Sequence, residues 1–377
     1  MRLLHTADWH LGRTLGGHSL RAEQEHLLGE EFPRLVADAS PDAVLIAGDI
    51  FDRAVPPAEA VELLDDILHR IVVGLRIPVV MIPGNHDEAR RLSFGARMFA
   101  AAGLHIGDSP LGRVVTLQDA HGPVAIVAAG YSTPLGLAQQ AGAEAFADHD
   151  AGFAWLAPQL HGLCGDTARR VLVAHAFVAG GAVCDSERGI SVGGTGQITA
   201  ARFAGFHYVA LGHLHRPQAM LDGRLRYSGS PLAYSTSEAG QAKQMLLVEI
   251  DAAGAVTTEA IGLVPLRGLR LLRGEFAALR AAAEARDDFV AITLTDAQPI
   301  PDAQRALADL YPRIIGFGYA EQPRPAGPVV VPGGTARALK PLDLFGEFHA
   351  AMRGAPLPEE ARAVVVAAIA EAEAATA

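Results

Sequence analysis

The chain has 377 residues, 50% of them hydrophobic and 19% charged, with a mean hydropathy of +0.21 and a formal net charge of −11. This composition excludes a disordered chain, and the lack of an apolar run of about 18 residues predicts that no segment crosses a membrane. The acidic balance weighs against a free-standing DNA-binding domain, which usually carries a basic patch.

Short apolar runs alternate with helical patterns through most of the chain. Continuous apolar runs predict strands buried on both faces, and they lie at residues 3–4, 43–47, 78–82, 171–174 and 208–211. Helical stretches are predicted at 20–39, 58–75 and 93–102, and closing strands at 224–228, 245–250 and 256–261. This alternation is typical of an α/β fold with a layered sheet core and helices on its faces. We expect it to span residues 1–265.

The pattern changes after residue 265. Residues 266–321 predict a small α/β domain with strands at 269–273, 289–295 and 314–319 and helices at 275–285 and 302–310. Residues 322–340 are rich in proline and glycine, which predicts a linker.

Residues 341–377 predict two C-terminal helices. Leu342, Phe345, Phe348 and Met352 recur at helical spacing and form an apolar stripe. Such a stripe packs by default on its own domain. After a linker it has less core to join, so a groove or a coiled-coil partner is the alternative that we favour.

Polar motifs follow the predicted strands of the first domain. They are Asp8-x-His10, Gly48-Asp49, Gly84-Asn85-His86-Asp87, His175 and Gly212-His213-x-His215. Residues two apart on a strand point to the same side, so Asp8 and His10 can face one metal, as can His213 and His215. The carboxyl edge of an open α/β sheet is also where ligands usually bind.

The ligand types suit divalent transition metals. Carboxylate, amide and imidazole groups bind Mn²⁺, Fe²⁺ or Zn²⁺, whereas Cys164 and Cys184 lack the paired spacing of a structural zinc site. Two unpatterned cysteines fit a reducing compartment. The first ligand, at residue 8, leaves no room for a cleavable signal peptide, so we expect a cytoplasmic protein.

Each motif taken alone has an ordinary structural explanation. Asp49 could cap a helix, residues 85–87 could form a polar turn, and His175 could be a hydrogen-bonded core histidine. All five motifs follow predicted strands, however, and they supply seven oxygen and nitrogen ligands. This number suits two adjacent divalent cations, an arrangement that recurs in phosphate-ester hydrolysis.

These motifs resemble the calcineurin-like metallophosphoesterase superfamily, whose pattern is D-x-H, GD-x-x-D, GNH-[DE], H and GH-x-H. The resemblance covers residue 1 to about residue 263. A narrower resemblance, to the SbcD nuclease subunits, rests on residues 5–13, 48–53, 191–196, 208–216 and 227–231. It weakens after about residue 320.

The resemblance implies a role for each site residue. One metal would bind Asp8, His10 and His215, the other would bind Asn85, His175 and His213, and Asp49 would bridge them. His86 would lie over the substrate phosphate, where an imidazole can stabilise the transition state or protonate the leaving oxygen. The two divalent ions are expected to be Mn²⁺.

Three further residues are expected to support the site, two of them with an alternative role. Asp52 would orient and charge the catalytic His86, or it would cap the helix that starts near Pro57. Asp87 is expected to hold the turn that presents His86. Arg13 is either a contact to DNA phosphate or an internal charge partner.

The implied function is a metal-dependent DNA nuclease, a double-strand exonuclease and single-strand or hairpin endonuclease that uses a two-metal-activated water. It would act in DNA repair and recombination with an SbcC-like coiled-coil ATPase, as a homodimer within a heterotetramer. Residues 266–321 would cap the DNA, residues 341–377 would dock on the ATPase, and residues 90–102 are a candidate dimer surface.

Two alternatives remain at this point. One is a phosphatase or small-molecule phosphodiesterase on the same scaffold. The other is a DNA tether with a vestigial site, against which the intact ligand set argues.

Overall fold

The computed structural model describes residues 1–187, 196–283, 286–320 and 341–374. The predicted linker at 322–340 and all but the last residue of the 191–196 motif lie outside these ranges. Within them, no helix is long and apolar enough to cross a membrane.

The strands are short and are numbered along the chain. Those before residue 176 are β1 (Arg2–Thr6), β2 (Thr14–Leu15), β3 (His18–Ser19), β4 (Ala43–Ala47), β5 (Val79–Ile82), β6 (Leu104–Ile106), β7 (Arg113–Asp119), β8 (Gly122–Ala128) and β9 (Arg169–His175). Those after it are β10 (Phe177–Val178), β11 (Gln197–Ile198), β12 (Tyr208–Gly212), β13 (Gln218–Met220), β14 (Leu225–Tyr227), β15 (Lys243–Ile250), β16 (Val256–Leu263), β17 (Leu269–Gly274), β18 (Phe289–Leu294) and β19 (Ile314–Tyr319).

The helices connect these strands and end the described chain. They are α1 (Arg21–Gln24), α2 (Phe32–Ala39), α3 (Ala58–Leu68), α4 (Ala89–Leu92), α5 (Ala96–Phe99), α6 (Pro134–Ala141), α7 (His149–Gly162), α8 (Phe276–Ala281), α9 (Ala303–Ala308), α10 (Pro341–Arg353) and α11 (Glu359–Ala374). Two π-helical segments adjoin them, Glu25–Glu31 between α1 and α2 and His69–Gly74 after α3.

Two six-stranded sheets form the first domain. The first has the order β16-β15-β1-β4-β5-β6 and the second the order β13-β14-β12-β9-β8-β7. In the first sheet β1, β4, β5 and β6 are parallel, and in the second β8, β9, β12 and β14 are parallel. The antiparallel strands lie outside these parallel blocks. The continuous apolar runs of the sequence are thus the strands of parallel blocks, which are buried on both faces.

The two sheets pack face to face. Leu3 and Leu45 of the first sheet share one buried cluster with Val171 and Tyr208 of the second. Since successive side chains of a strand point to opposite faces, the neighbouring residues face away from this inter-sheet core. The sheets therefore form the two inner layers of the domain.

Helices cover both outer faces. The outer face of the first sheet packs on helical residues such as Phe32, Val36 and Ile67. The outer face of the second packs on Leu156 and Leu160 of α7. The result is a helix–sheet–sheet–helix arrangement, and the predicted layered α/β class is confirmed.

Residues 266–320 form a small α/β unit against the first sheet. Its parallel sheet has the order β17-β18-β19, with α8 and α9 completing its own buried cluster. Phe289 also belongs to the core on the helical side of the first sheet, and Arg267 pairs with Glu23 of α1. A Cβ on Gly16 would lie 2.4 Å from the Cα of Ile315, so the β2–β3 hairpin touches this unit directly.

Two helix predictions were wrong in extent. The stretch 93–102 is not one helix, because Gly95 adopts φ +76° immediately before α5 and interrupts it. The helix predicted at 275–285 ends at Ala281, and residues 284–285 lie outside the described ranges.

Replacing Leu45 by alanine should destabilise the first domain by about 3 kcal/mol, because the truncation leaves a cavity between the two sheets. Leu45 is fully buried there. Leu135→Ala is the matched control, since Leu135 is 60% exposed and its loss should cost less than about 0.5 kcal/mol. Equilibrium urea denaturation gives both values. Equal free energies of unfolding for the two variants would contradict the inter-sheet core.

Candidate metal centre

The candidate ligands lie at the carboxyl ends of five parallel strands. Asp8 and His10 follow β1, Asp49 follows β4, and Asn85 follows β5 in the first sheet. His175 ends β9, and His213 and His215 follow β12 in the second. The carboxyl ends of both parallel blocks meet at one edge of the sandwich. The structure thus brings together all seven residues that the sequence analysis named as candidate ligands.

Main-chain hydrogen bonds join the loops that carry these residues. The Asp8 amide donates to the Gly48 carbonyl at 3.0 Å and the His10 amide to the Asp49 carbonyl at 2.9 Å. Across the sheets, the His213 amide donates to both carboxylate oxygens of Asp8, at 2.9 and 3.1 Å. The site is therefore also a junction of the two sheets.

Four ligand residues have strained backbones. Asp8, His10, Asp49 and His213 have φ values of 55°, 44°, 49° and 106°, a region that residues other than glycine rarely adopt. Such conformations cost about 1–3 kcal/mol each and cluster at functional sites. The surrounding structure holds these four side chains in place at a cost in stability.

The first ligand group consists of Asp8, His10 and His215. One ligand atom from each lies within 4.8 Å of the others, and all three residues are buried. The Nε2 atoms of His10 and His215 are 3.1 Å apart and face each other. Three buried ligand atoms therefore lie close enough together to bind one cation.

The second ligand group consists of Asn85, His175 and His213. The Asn85 Oδ1 atom lies 2.9 Å from His175 Nε2 and 3.1 Å from His213 Nδ1. Amide oxygen and two imidazole nitrogens are again a donor set for a divalent transition metal.

Asp49 lies between the two groups. Its Oδ2 is 3.6 Å from His10 Nε2 and 3.5 Å from His175 Nε2, while its Oδ1 accepts a hydrogen bond from the His86 amide at 2.9 Å. One carboxylate thus approaches a nitrogen of each group, as a bridging ligand requires.

Burial disfavours the charged forms of the carboxyl and imidazole groups at this site. Burial raises the pKa of Asp8 well above its ordinary value, and the charge of Asp49 adds to this effect. Burial lowers the pKa of His175 to about 4 and the pKa of His10, His213 and His215 below 6.5. A neutral imidazole is the form that binds a cation, and a cation would stabilise the ionised form of the buried Asp8 carboxylate, so the residues fit two divalent ions.

The other ring nitrogen of two ligands has a partner that selects its tautomer. His175 Nδ1 donates to the Ala47 carbonyl at 2.9 Å. His215 Nδ1 lies 2.7 Å from Ser186 Oγ. In both rings the Nε2 lone pair is then directed toward the ligand group.

His86 is buried beside both groups, but its contact with Asp52 differs from the expected one. His86 Nδ1 donates to the backbone carbonyl of Asp52 at 2.8 Å, not to its carboxylate. The Asp52 carboxylate instead accepts from Arg13 Nη1 at 3.0 Å and lies 3.7 Å from His10 Nδ1. Arg13 is therefore engaged by an internal charge partner.

Asp87 joins two of the ligand loops. Its carboxylate accepts hydrogen bonds from the amides of Ile50, Phe51 and Gly84, at 2.9 to 3.0 Å. It thus fixes the turn that presents Asn85 and His86 against the loop that carries Asp49.

Several residues around His215 were missed by the sequence analysis. Ser186, Glu187, Glu238 and Lys243 contact it directly or through one another. Their separation in the chain hides this cluster from any local motif. One available signal was Lys243, since the chain contains only two lysines and this one falls in an apolar strand.

Glycines in the motifs allow the loops to approach one another. A Cβ on Gly212 would lie 1.9 Å from the Ala47 carbonyl oxygen, and one on Gly84 would lie 2.2 Å from Asp49 Oδ1. Only a residue without a side chain fits at either place. The glycines predicted beside the ligands are thus needed for close packing.

Comparison with known proteins agrees with this geometry. The sequence model described as calcineurin-like phosphoesterase matches residues 1–217. The chain belongs to the calcineurin-like phosphoesterase family. It is a metal-dependent phosphoesterase with Asp and His clusters that can hold divalent metals.

A second sequence model matches a later part of this phosphoesterase. The SbcD_C model, described as type 5 capsule protein repressor C-terminal domain, covers residues 265–353. The two matches together agree with the resemblance to SbcD.

One solved structure has a similar description. The crystal structure of calcineurin-like phosphoesterase YfkN from Bacillus subtilis covers 70% of this chain and 90% of its own, at 11% identity and a TM-score of 0.34. The family assignment rests on the sequence model.

Replacing Gly212 by alanine should destabilise this phosphoesterase by more than about 2 kcal/mol, because the new Cβ would collide with the backbone of β4. Gly262→Ala is the control, since Gly262 also lies in a strand and a Cβ there meets no atom within 4 Å. Thermal unfolding should give a lower Tm for the first variant and a nearly unchanged Tm for the second. A fully stable Gly212→Ala protein would show that the two sheets are farther apart at this edge.

Proposed function

We propose that this phosphoesterase is a Mn²⁺-dependent DNA nuclease that hydrolyses phosphodiester bonds at double-stranded ends and in hairpins. The observation that carries the proposal is the convergence of two ligand groups with Asp49 between them. The proposed reaction takes place in the cytoplasm, since its substrate is DNA and its partner is an ATPase that acts on DNA.

The two ligand groups are proposed to hold one cation each, with Asp49 contributing to both. Two such cations supply a positive field for phosphoryl oxygens and lower the pKa of water. The protein's part is to fix the ligands before substrate arrives. The strained Asp8, His10, Asp49 and His213 backbones support this view, because they keep the donor atoms in one arrangement.

His86 is the proposed general acid or transition-state stabiliser. Its Nδ1 proton is held by the Asp52 carbonyl, which leaves Nε2, 3.8 Å from Asp49 Oδ2, directed toward the centre. In the imidazolium form the ring also carries a proton on Nε2, and it can donate that proton to the oxygen that leaves the phosphorus. Asp52 is proposed to position His86 through the Asp52 carbonyl. The Asp52 carboxylate forms an ion pair with the guanidinium of Arg13.

DNA is the proposed substrate because of the second unit. Residues 266–320 pack on the first domain through Phe289 and the Arg267–Glu23 pair. Phosphatases of small esters need no such unit, whereas a long polymer can be guided by one. The match of residues 265–353 to the SbcD C-terminal model supports the same choice.

The C-terminal helices are the proposed docking segment for an SbcC-like coiled-coil ATPase. Phe345 and Phe348 of α10 are 41% and 55% exposed, and Val364 and Val366 of α11 are exposed as well. An apolar helix face that is open to solvent suits a helical partner.

A homodimer is proposed through the α4–α5 region. Phe94 and Met98 are 80% and 70% exposed, and Phe99 is exposed beside them. Large apolar groups concentrated on one surface commonly mark an interface between proteins. This surface lies within residues 90–102, which the sequence analysis selected, and it would form a dimer that joins the ATPase in a heterotetramer.

His86→Ala should reduce Mn²⁺-dependent cleavage of linear duplex DNA by about 10²- to 10⁴-fold, because a positioned acid is lost. Asp49→Ala should abolish cleavage by removing the residue between both ligand groups. His121→Ala, a change at an exposed histidine, should leave the rate unchanged.

All proteins are tested on duplex DNA, a small phosphodiester and a phosphomonoester. Turnover of the small esters with DNA left intact, even after an SbcC-like partner is added, would favour the phosphatase alternative.

Phe94→Glu should convert the proposed dimer to a monomer, since a charge would be buried in the interface. Sedimentation velocity measures the molecular mass in solution. Val264→Glu is the control, because Val264 is 77% exposed outside the α4–α5 region. An unchanged mass in both variants would rule out the α4–α5 surface as the dimer interface.

A further inference from the structure

We propose that a relay of Ser186, Glu238 and Lys243 positions His215 for metal binding. This inference rests on the two-metal function proposed above and adds a distinction between the two sites. The relay sets the metal affinity of the first ligand group and leaves that of the second nearly unchanged.

The side chains of the relay form a continuous chain of hydrogen bonds. His215 Nδ1 lies 2.7 Å from Ser186 Oγ, and Ser186 Oγ donates to Glu238 Oε1 at 2.5 Å. Lys243 Nζ donates to Glu238 Oε2 at 2.5 Å. Because the Ser186 proton is directed to Glu238, its oxygen is left to accept the Nδ1 proton of His215. The relay therefore selects the tautomer with a free Nε2 lone pair.

The backbone of His215 is held by the same cluster. The His215 amide donates to Glu187 Oε1 at 2.7 Å, and the His215 carbonyl accepts from Lys243 Nζ at 3.2 Å. His215 is thus fixed at its amide, its carbonyl and its ring. A residue held at its backbone and its ring loses little further freedom when it binds a cation.

The relay is buried and electrically balanced. Glu238 and Lys243 are 1% and 6% exposed, so neither ion is well hydrated. The ammonium of Lys243 neutralises the carboxylate of Glu238, and the hydroxyl of Ser186 bridges this carboxylate to His215 Nδ1, which lies 3.7 Å from Glu238 Oε1. With its charge balanced in this way, Glu238 acts on the first ligand group through His215. Its effect is exerted through the orientation of one imidazole.

The second ligand group is oriented differently. His175 Nδ1 donates to the Ala47 carbonyl, a main-chain atom of β4. Asn85 is held in the turn that Asp87 fixes. No residue of the relay takes part in these contacts within the described ranges. A defect in the relay should consequently affect one site and not the other.

The test is the binding of Mn²⁺ to the full-length protein, measured by isothermal titration calorimetry. Wild type should bind two ions, and Ser186→Ala should bind one of them about 10- to 100-fold more weakly, the range typical for loss of a residue that orients a histidine ligand. Ser186→Thr keeps the hydroxyl and should restore binding. Ser228→Ala is the control, since Ser228 is buried but its hydroxyl donates to the Gly229 carbonyl.

The same change in a His215→Ala background separates positioning from a general structural effect. If the relay acts through His215, adding Ser186→Ala to His215→Ala should not weaken Mn²⁺ binding further. Glu238→Gln provides a second variant and should also weaken one site selectively. Circular dichroism confirms that each protein is folded.

Two results would overturn the inference. Unchanged affinity at both sites in Ser186→Ala and Glu238→Gln, or equal weakening of both sites in the folded variants, would mean that the relay does not position His215 selectively. Failure of wild type to bind two Mn²⁺ ions would instead refute the two-metal function. The outcomes of the two proposals are thus distinguishable.

Discussion

The burial of two carboxylates, Asp8 and Asp49, among five histidines is the constraint on which the site depends. Neither carboxylate is hydrated, and each opposes the charge of the other, which is why the pKa of Asp8 is raised. An isolated pair of this kind would be costly to bury. Hydrogen bonds from the His213 and His86 amides offset part of this cost. A cation between the two carboxylates would offset the remaining cost, which is why these clusters can hold divalent metals.

The same constraint explains why two sheets are required. The ligands come from both parallel blocks, so the site exists only where the carboxyl ends of the two sheets meet. A buried histidine supports this junction from within: His5 Nδ1 lies 2.8 Å from the Tyr208 hydroxyl across the inter-sheet core. Burial lowers the pKa of His5 to about 3, so the ring is neutral and can lie in an apolar layer. Glycines at positions 84 and 212 then let the loops approach to contact distance.

The contacts that hold the candidate ligands differ between the two sides of this centre. On one side His215 is held by residues from two distant segments, 186–187 and 238–243, which also join the end of β12 to the start of β15. On the other side His175 is held by the backbone of β4. The first arrangement depends on several side chains and the second on the fold itself. The two halves of the centre should therefore differ in their sensitivity to substitution.

The sequence by itself determined the layered α/β class, all seven candidate ligands and the apolar strands that precede them, because buried parallel strands are continuous apolar runs and the candidate ligands follow them directly. It also indicated the second unit and the C-terminal helices. It did not predict strands β6 to β8 or helices α6 and α7. Only the tertiary structure decided what surrounds the ligands. The contacts of His86 with the Asp52 carbonyl, of Arg13 with the Asp52 carboxylate and of Ser186 with Glu238 join residues that are 34, 39 and 52 positions apart. No local pattern encodes such contacts, since they arise when two sheets and their loops pack against each other.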